Sequence, residues 1–206
     1  MPFMRKLSAR IRSSAYPKTS AFPPIRLQGK NVLDVGCGRE PLAAEGAKTV
    51  AVDGFAIPGS EALERIQFVR GMMESLPFAN GSFDFVSSRN ALYYSHMPTA
   101  LREIRRVLKP DGMVWGTLAA TREAATRLVS SLLGLRFGDV AYVSYGFLNG
   151  LLTTFSGKQV RWINPKRCES VNTRLTIRRL LRDARFEDVS AEYHDRKIIF
   201  SARKPS

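Results

Sequence analysis

The sequence predicts a doubly wound α/β fold on a mostly parallel sheet, and three observations predict it. An apolar run with β-branched and aliphatic residues on both faces, Asn31 to Val35 (NVLDV), ends in the corner Gly36-Cys37-Gly38. A second apolar run, Thr49 to Val52, follows after a short bridge and closes on Asp53. Beyond it, strand-like and helix-like segments alternate, as they do when parallel strands are joined by crossovers.

Each element has its own reason. Runs that are apolar on both faces suit strands buried between two layers. Gly36 and Gly38 permit a sharp turn and let a ligand approach bare backbone. The bridge after them leaves room only for a short helix, about PLAAEGA. Ile66 to Arg70 reads as a third strand, and FDFVSS, residues 83–88, as a fourth that follows the turn ANGS. From Pro98 to Leu108 the apolar residues Leu101, Ile104, Val107 and Leu108 recur at helical spacing with charges between them. Lys109-Pro110-Asp111-Gly112 stops that helix, and MVWGTL begins a fifth strand. Thr173 to Ala184 reads as a basic amphipathic helix, and FEDVSAEY and KIIFSAR as an antiparallel strand pair.

The chain has 206 residues, 44% of them hydrophobic and 24% charged, which fits one domain with a core of its own. Its two cysteines, Cys37 and Cys168, have no metal-ligand spacing, so neither a disulfide framework nor a metal site is expected, and a reducing compartment such as the cytoplasm fits. The net charge is +14 and is uneven: the first thirty residues hold seven bases and no acid, residues 41–117 balance, and the tail from Arg161 is basic again. Such poles suit nucleic acid, an anionic membrane surface or an acidic substrate, or serve solubility alone. Residues 1–30 therefore read as a basic extension. It lacks a secretory hydrophobic core and is expected to form a short amphipathic helix against the domain, with a mitochondrial transit peptide as the alternative.

A strand, a glycine corner and an acid after the next strand suit a nicotinamide dinucleotide or S-adenosylmethionine. The dinucleotide fingerprint asks for a third glycine that seats a pyrophosphate on a helix N-terminus. Here Arg39, Glu40 and Pro41 follow instead, and Glu40 would repel phosphates. S-adenosylmethionine carries no phosphate, so a short bridge suffices.

VLDVGCGRE, VAVDG, GMMESLPFANGSFDFV and LREIRRVLKPDGMVWGT resemble successive motifs of the class I S-adenosylmethionine-dependent methyltransferases, in the small-molecule branch that includes quinone biosynthesis. The resemblance runs from about Asn31 to Leu118 and resumes weakly at Thr173 to Lys204. It implies a seven-stranded Rossmann-like sheet with the antiparallel pair at its end, residues 31–206 forming the methyltransferase domain, and S-adenosylmethionine as cofactor. It also implies roles. Asp34 organises the loop; Gly36, Cys37 and Gly38 lie against the methionine part; Asp53, followed by Gly54, takes both ribose hydroxyls. Met72, Met73 and Glu74 lie beside the adenine, and Ser88, Arg89 and Asn90 face the methionine moiety and the reaction centre. Met72 departs from the family pattern, which places an acid there for the adenine amino group; either Glu74 substitutes or packing holds the ring.

The catalytic candidates follow the fourth strand in RNALYYSHM. Tyr93 and Tyr94 stand where relatives carry histidine or glutamate, and His96 is the general-base candidate because its ordinary pKa lies near neutrality. A helix-capping role is the alternative for His96, and His194 is expected to be exposed near a hairpin turn. No Asn/Asp-Pro-Pro-aromatic signature and no suitably placed cysteine nucleophile occur, which argues against nucleobase-amine and pyrimidine C5 acceptors. The insertion at 119–170 is rich in Tyr, Phe and Leu and too polar for a membrane span; it is expected to form an acceptor-side lid through Tyr142, Tyr145 and Phe147, or else an extra helical hairpin. The expected partner is a small, apolar or lipid-like molecule. An RNA acceptor, a non-catalytic binding protein and peripheral membrane contact stand as alternatives.

Overall fold

Seven strands form one sheet in the order β3-β2-β1-β4-β5-β7-β6. The computed structural model describes residues 26–119, 137–160, 170, 172–194 and 197–206. The expected N-terminal helix, Cys168 and much of the insertion, including the side chain of Tyr142, lie outside the described residues. The strands are β1 (Asn31–Val35), β2 (Lys48–Asp53), β3 (Gln67–Arg70), β4 (Phe83–Arg89), β5 (Leu108–Ala119), β6 (Glu187–His194) and β7 (Lys197–Arg203). β1 pairs parallel with β2 and β4, β2 with β3 and β4 with β5, whereas β7 runs antiparallel to both β5 and β6. This matches the predicted mostly parallel sheet with its antiparallel end.

The helices are α1 (Ser60–Leu63), α2 (Met97–Val107), α3 (Phe137–Ser156) and α4 (Arg174–Asp183). On one sheet face, Ala100, Leu101, Ile104 and Val107 of α2 and Ile177, Leu180 and Leu181 of α4 bury against Leu33, Val86, Val114 and Phe200. Their apolar spacing gives each helix a single buried stripe. Thr173 starts α4 with a reciprocal cap: its side chain accepts from the Thr176 N–H while the Thr176 hydroxyl accepts from the Thr173 N–H. On the opposite face, Val32, Phe85 and Trp115 pack with Leu27 and Leu42.

Three elements differ from expectation. The bridge after the glycine corner forms no helix: residues 39–47 run as turns and extended chain. Pro41 supplies no N–H, and the Leu42 N–H donates to the Asp34 carboxylate at 2.8 Å rather than to a helical carbonyl. β5 begins at Leu108, through the expected stop, with a register shift between Phe83 and Phe85 on its partner. Finally, residues 137–156 form one twenty-residue helix despite their polar content. Thr153, Thr154 and Ser156 donate their hydroxyls to the carbonyls of Asn149, Gly150 and Leu152 at 2.6, 2.8 and 2.7 Å, so those groups are satisfied along the helix itself. No described helix is long and apolar enough to cross a membrane.

Candidate functional site

The carboxyl ends of β1, β2 and β4 meet at the glycine corner, the place where ligands bind in open α/β sheets. Gly36 has φ +68° and Gly38 φ +62°, both in the left-handed region. A Cβ on Gly36 would stand 2.3 Å from the Ala91 Cβ, so the chain leaving β4 crosses directly over the corner and only glycine fits.

Asp34 lies beneath, with no exposed surface. Its carboxylate accepts from the Ser87 hydroxyl at 2.5 Å, the Leu42 N–H at 2.8 Å and Arg89 Nη2 at 2.9 Å. The same Arg89 nitrogen also donates to the Glu40 carbonyl. Asp34 thus ties the loop to β4, while Arg89 turns back to it rather than out over the corner. A buried charge needs such partners.

Asp53, at the end of β2, accepts the Gly38 N–H on Oδ2 at 2.9 Å and the Phe55 and Ala56 N–H groups on Oδ1 at 2.8 Å each. A carboxylate offers about four acceptor positions. Three are taken by backbone, so one remains, where the expected ribose contact asks for two. Between these residues Cys37 is buried, and burial, reinforced by Asp34 and Asp53, pushes its thiol up to about 12. The thiol stays protonated and behaves as packing.

A narrow cleft of about 80 Å³ opens beside Asp53. Gly36, Gly54, Met72, Met73 and Glu74 line it with Asp53, joined by Phe55, Ala91, Tyr94 and Ser95. The Met72 sulfur lies against Gly54, 2.4 Å from where a Cβ would be, and narrows the mouth. Ligand pockets typically measure about 300–1,000 Å³, so a nucleoside-sized guest requires Met72 to swing aside. With that movement the residues fit S-adenosylmethionine: bare backbone at the corner, an acid at the β2 end and an apolar slot of Phe55, Met72 and Met73.

Of the other expected site residues, Glu74 lines this cleft, whereas His96, Tyr93 and Asn90 are not among its lining residues. Glu74 Oε1 accepts the His96 N–H at 3.0 Å, tying the segment after β3 to the start of α2. His96 is the residue before α2, and its Nδ1 meets the Thr99 hydroxyl at 2.8 Å, so its ring is engaged at the helix start. Tyr93 packs against the main core and its hydroxyl donates to that of Tyr94 at 2.9 Å; Tyr94 is the tyrosine that reaches the cleft. Asn90 turns to Thr117, donating its N–H to that carbonyl at 2.9 Å. Ser88 is fully buried in β4, and His194 is exposed at the end of β6. Phe55, Ala91 and Ser95 line the cleft without a signal in the sequence, whereas Tyr94 belongs to the tyrosine pair already singled out there.

A second opening lies along α3, an apolar groove of about 730 Å³ lined by Tyr145, Leu148, Asn149, Leu152 and Val160 among others. Asn149 holds its far wall, accepting the Val160 N–H at 2.9 Å and donating to the Val160 carbonyl at 3.2 Å. Tyr145 also donates its hydroxyl to that carbonyl. Next to it, Gln159 Oε1 accepts the Met97 N–H at 2.7 Å. The groove is therefore anchored to the start of α2, two residues from Ser95 of the cleft.

A Rossmann-like sheet in this strand order, with a glycine corner on an acid-terminated second strand, defines a nucleoside-cofactor enzyme fold. Comparison sharpens the class. Residues 33–116 match the family model described as "Methyltransferase domain". The chain is 31% identical over 147 residues to the uncharacterized methyltransferase YodH of Bacillus subtilis (strain 168), covering 59% of each chain. It is 29% identical over 194 residues to the demethylmenaquinone methyltransferase of Lactococcus lactis subsp. lactis (strain IL1403), covering 85% of this chain and 73% of that one. Among solved structures, Burkholderia thailandensis 1,6-didemethyltoxoflavin-N1-methyltransferase shares the fold with a TM-score of 0.56 at 18% identity, over 100% of this chain and 90% of that one. Over these residues the chain is similar to S-adenosylmethionine-dependent methyltransferases. It spans about three-fifths of the length of YodH.

Proposed function

We propose that this protein transfers a methyl group from S-adenosylmethionine to a small apolar acceptor, quinone-like or lipid-like, seated along α3. The observation that carries the reading is the adjacency of two unlike openings: the glycine–carboxylate cleft, and an apolar groove fastened by Gln159 to the same helix start. The similarity to a demethylmenaquinone methyltransferase supports an acceptor of this chemistry.

When bound, the cofactor supplies an electrophilic methyl on a sulfonium. The chain's task is then to bind, orient and keep water out. Gly36 and Gly38 offer backbone to the methionine part, Asp53 one acceptor position to a ribose hydroxyl, and Phe55, Met72 and Met73 an apolar slot to the adenine. Orientation of this kind is worth roughly 7–11 kcal/mol when the geometry is good. For a hydroxyl acceptor, the proton is assigned to His96 and a supporting role to Tyr93, whose hydroxyl bonds that of Tyr94 at the cleft; such help is worth about 10²–10⁴ in rate.

The narrowness of the cleft favours one other reading, a methyltransferase-fold protein that binds without catalysis. Calorimetric titration with S-adenosylhomocysteine separates the two. The proposed function expects binding that Asp53→Ala weakens by about tenfold or more, since a charge-assisted hydrogen bond is worth about 1.5–3 kcal/mol. It also expects transfer of radiolabelled methyl from S-adenosylmethionine to a lipid extract rather than to RNA. No affinity at millimolar ligand leaves the non-catalytic reading; an affinity that Asp53→Ala does not change refutes the ribose role.

A further inference from the structure

The chain is strongly basic, and its described residues include an exposed apolar strip. Residues 137–183 hold eight Lys and Arg against three Asp and Glu, and residues 1–30 hold seven against none; together they carry +12 of the net +14. The first of these stretches contains α3. One side of α3 is engaged: Tyr145 and Asn149 hold Val160, Thr153 is fully buried, and the Thr154 hydroxyl meets that of Thr176 on α4 at 2.5 Å. The other side shows Leu148, Leu151, Leu152 and Phe155, a strip at the spacing of one helix face, with exposures of 66, 55, 39 and 78%.

Leu148 and Leu152 line the acceptor groove, but Leu151 and Phe155 stand outside it. They border a cationic rim. Arg179 of α4 donates from Nη1 to the carbonyls of Thr154 and Phe155 at 2.9 and 2.7 Å, closing the end of α3, and Lys158 follows two residues after the helix. α3 itself holds a single charged residue, Asp139, near its start.

We propose that Leu151 and Phe155 dock α3 onto the surface of an anionic lipid bilayer, lying in the interface rather than crossing it. An apolar helix strip with cations at its border is the arrangement that inserts side chains among acyl chains while bases meet acidic headgroups. The charge selects this occupant over the others. A second copy of the chain would carry the same net charge of +14, which opposes self-association. RNA would meet the charge but not the strip, which offers three leucines and one aromatic where bases need stacking platforms. This inference stands apart from methyl transfer, because its test reads binding alone.

The test is co-sedimentation of the full chain with vesicles of phosphatidylcholine, with and without phosphatidylglycerol. The expected result is salt-sensitive binding to the anionic vesicles that exceeds binding to the neutral ones. The double variant Leu151→Gln/Phe155→Gln is expected to bind about tenfold more weakly or worse, with an unchanged melting temperature and unchanged S-adenosylhomocysteine affinity. Phe155→Trp gives a second readout, a blue shift of the added indole emission on anionic vesicles. The proposal is overturned by no binding of the unaltered chain to anionic vesicles, by equal binding of the double variant, or by a homodimer that the double variant dissociates. RNA binding that the double variant loses would also overturn it.

Discussion

Replacing Arg89 by methionine isolates the device that holds the glycine corner. The Asp34 side chain has no exposed surface and that of Arg89 is only 14% exposed, at an N···O distance of 2.9 Å. Methionine keeps much of the apolar stem but removes the cation and the donor to the Glu40 carbonyl. Breaking a buried ion pair from one side costs about 3–5 kcal/mol, because a charge is left without its partner. Here the Ser87 hydroxyl and the Leu42 N–H still reach the carboxylate. The expected loss therefore falls below that range, at about 2–3 kcal/mol. For a chain of this size that lowers Tm by roughly 4–12 °C. Urea unfolding of Arg89→Met, Asp34→Asn and the double variant measures the coupling directly. The double variant is expected to lose less than the two single losses together, since an amide leaves no stranded charge. A loss below about 1 kcal/mol in Arg89→Met, or strictly additive losses, would refute the reasoning.

Two further predictions follow from neighbouring geometry. Gly36→Ala is expected to be less stable than Gly38→Ala by about 1–3 kcal/mol in chemical unfolding, because both have positive φ but only the first Cβ collides with a neighbour. Equal losses would mean that the chain after β4 does not press on the corner. Glu103→Gln tests the loop between β3 and β4: Glu103 accepts from Arg106 at 2.8 Å and from the Leu76 N–H at 2.9 Å, while Arg106 donates to the Leu76 and Phe78 carbonyls. The Arg106 hydrogen bond, helped by that of Leu76, outweighs burial and holds the Glu103 carboxyl below its ordinary 4.5. A folded pKa below the unfolded one gives stability that is present above 4.5 and lost as pH falls through the folded value. Thermal unfolding should thus show Glu103→Gln below the unaltered chain at neutral pH, with the gap closing in acid; a gap constant with pH would contradict the assignment.

Much of this architecture is written in local pattern. β1, β4, α2 and α4 follow from periodicity because each buries one face or both against the sheet, and periodicity reports burial. The corner and Asp53 are legible because glycine and a strand-terminal acid each answer a local need. What the pattern does not carry is how side chains divide their bonds once the chain has closed. Asp53 spends three acceptor positions on backbone that only the folded loop brings near. Arg89 has its partner 55 positions away, on another strand. α3 hid behind its polar residues because their hydroxyls bond within the helix, which composition alone does not reveal.

The short bridge after the corner is consistent with the cofactor class on physical grounds. A dinucleotide phosphate is held by backbone N–H groups left over at a helix N-terminus. Here no helix follows, and the corner's own N–H groups are already committed: those of Gly36 and Cys37 donate to the Val52 carbonyl at 2.8 and 3.3 Å, and that of Gly38 to Asp53. With Leu42 given to Asp34, the loop offers little to an anion, and Glu40 adds a negative charge nearby. The corner is built to present backbone surface rather than donors, which suits a sulfonium-bearing nucleoside without phosphate. The same commitment of donors explains why the loop needs no helix to stay in place: one buried carboxylate, answered from β4 and from the loop itself, supplies the anchor that helix packing otherwise gives.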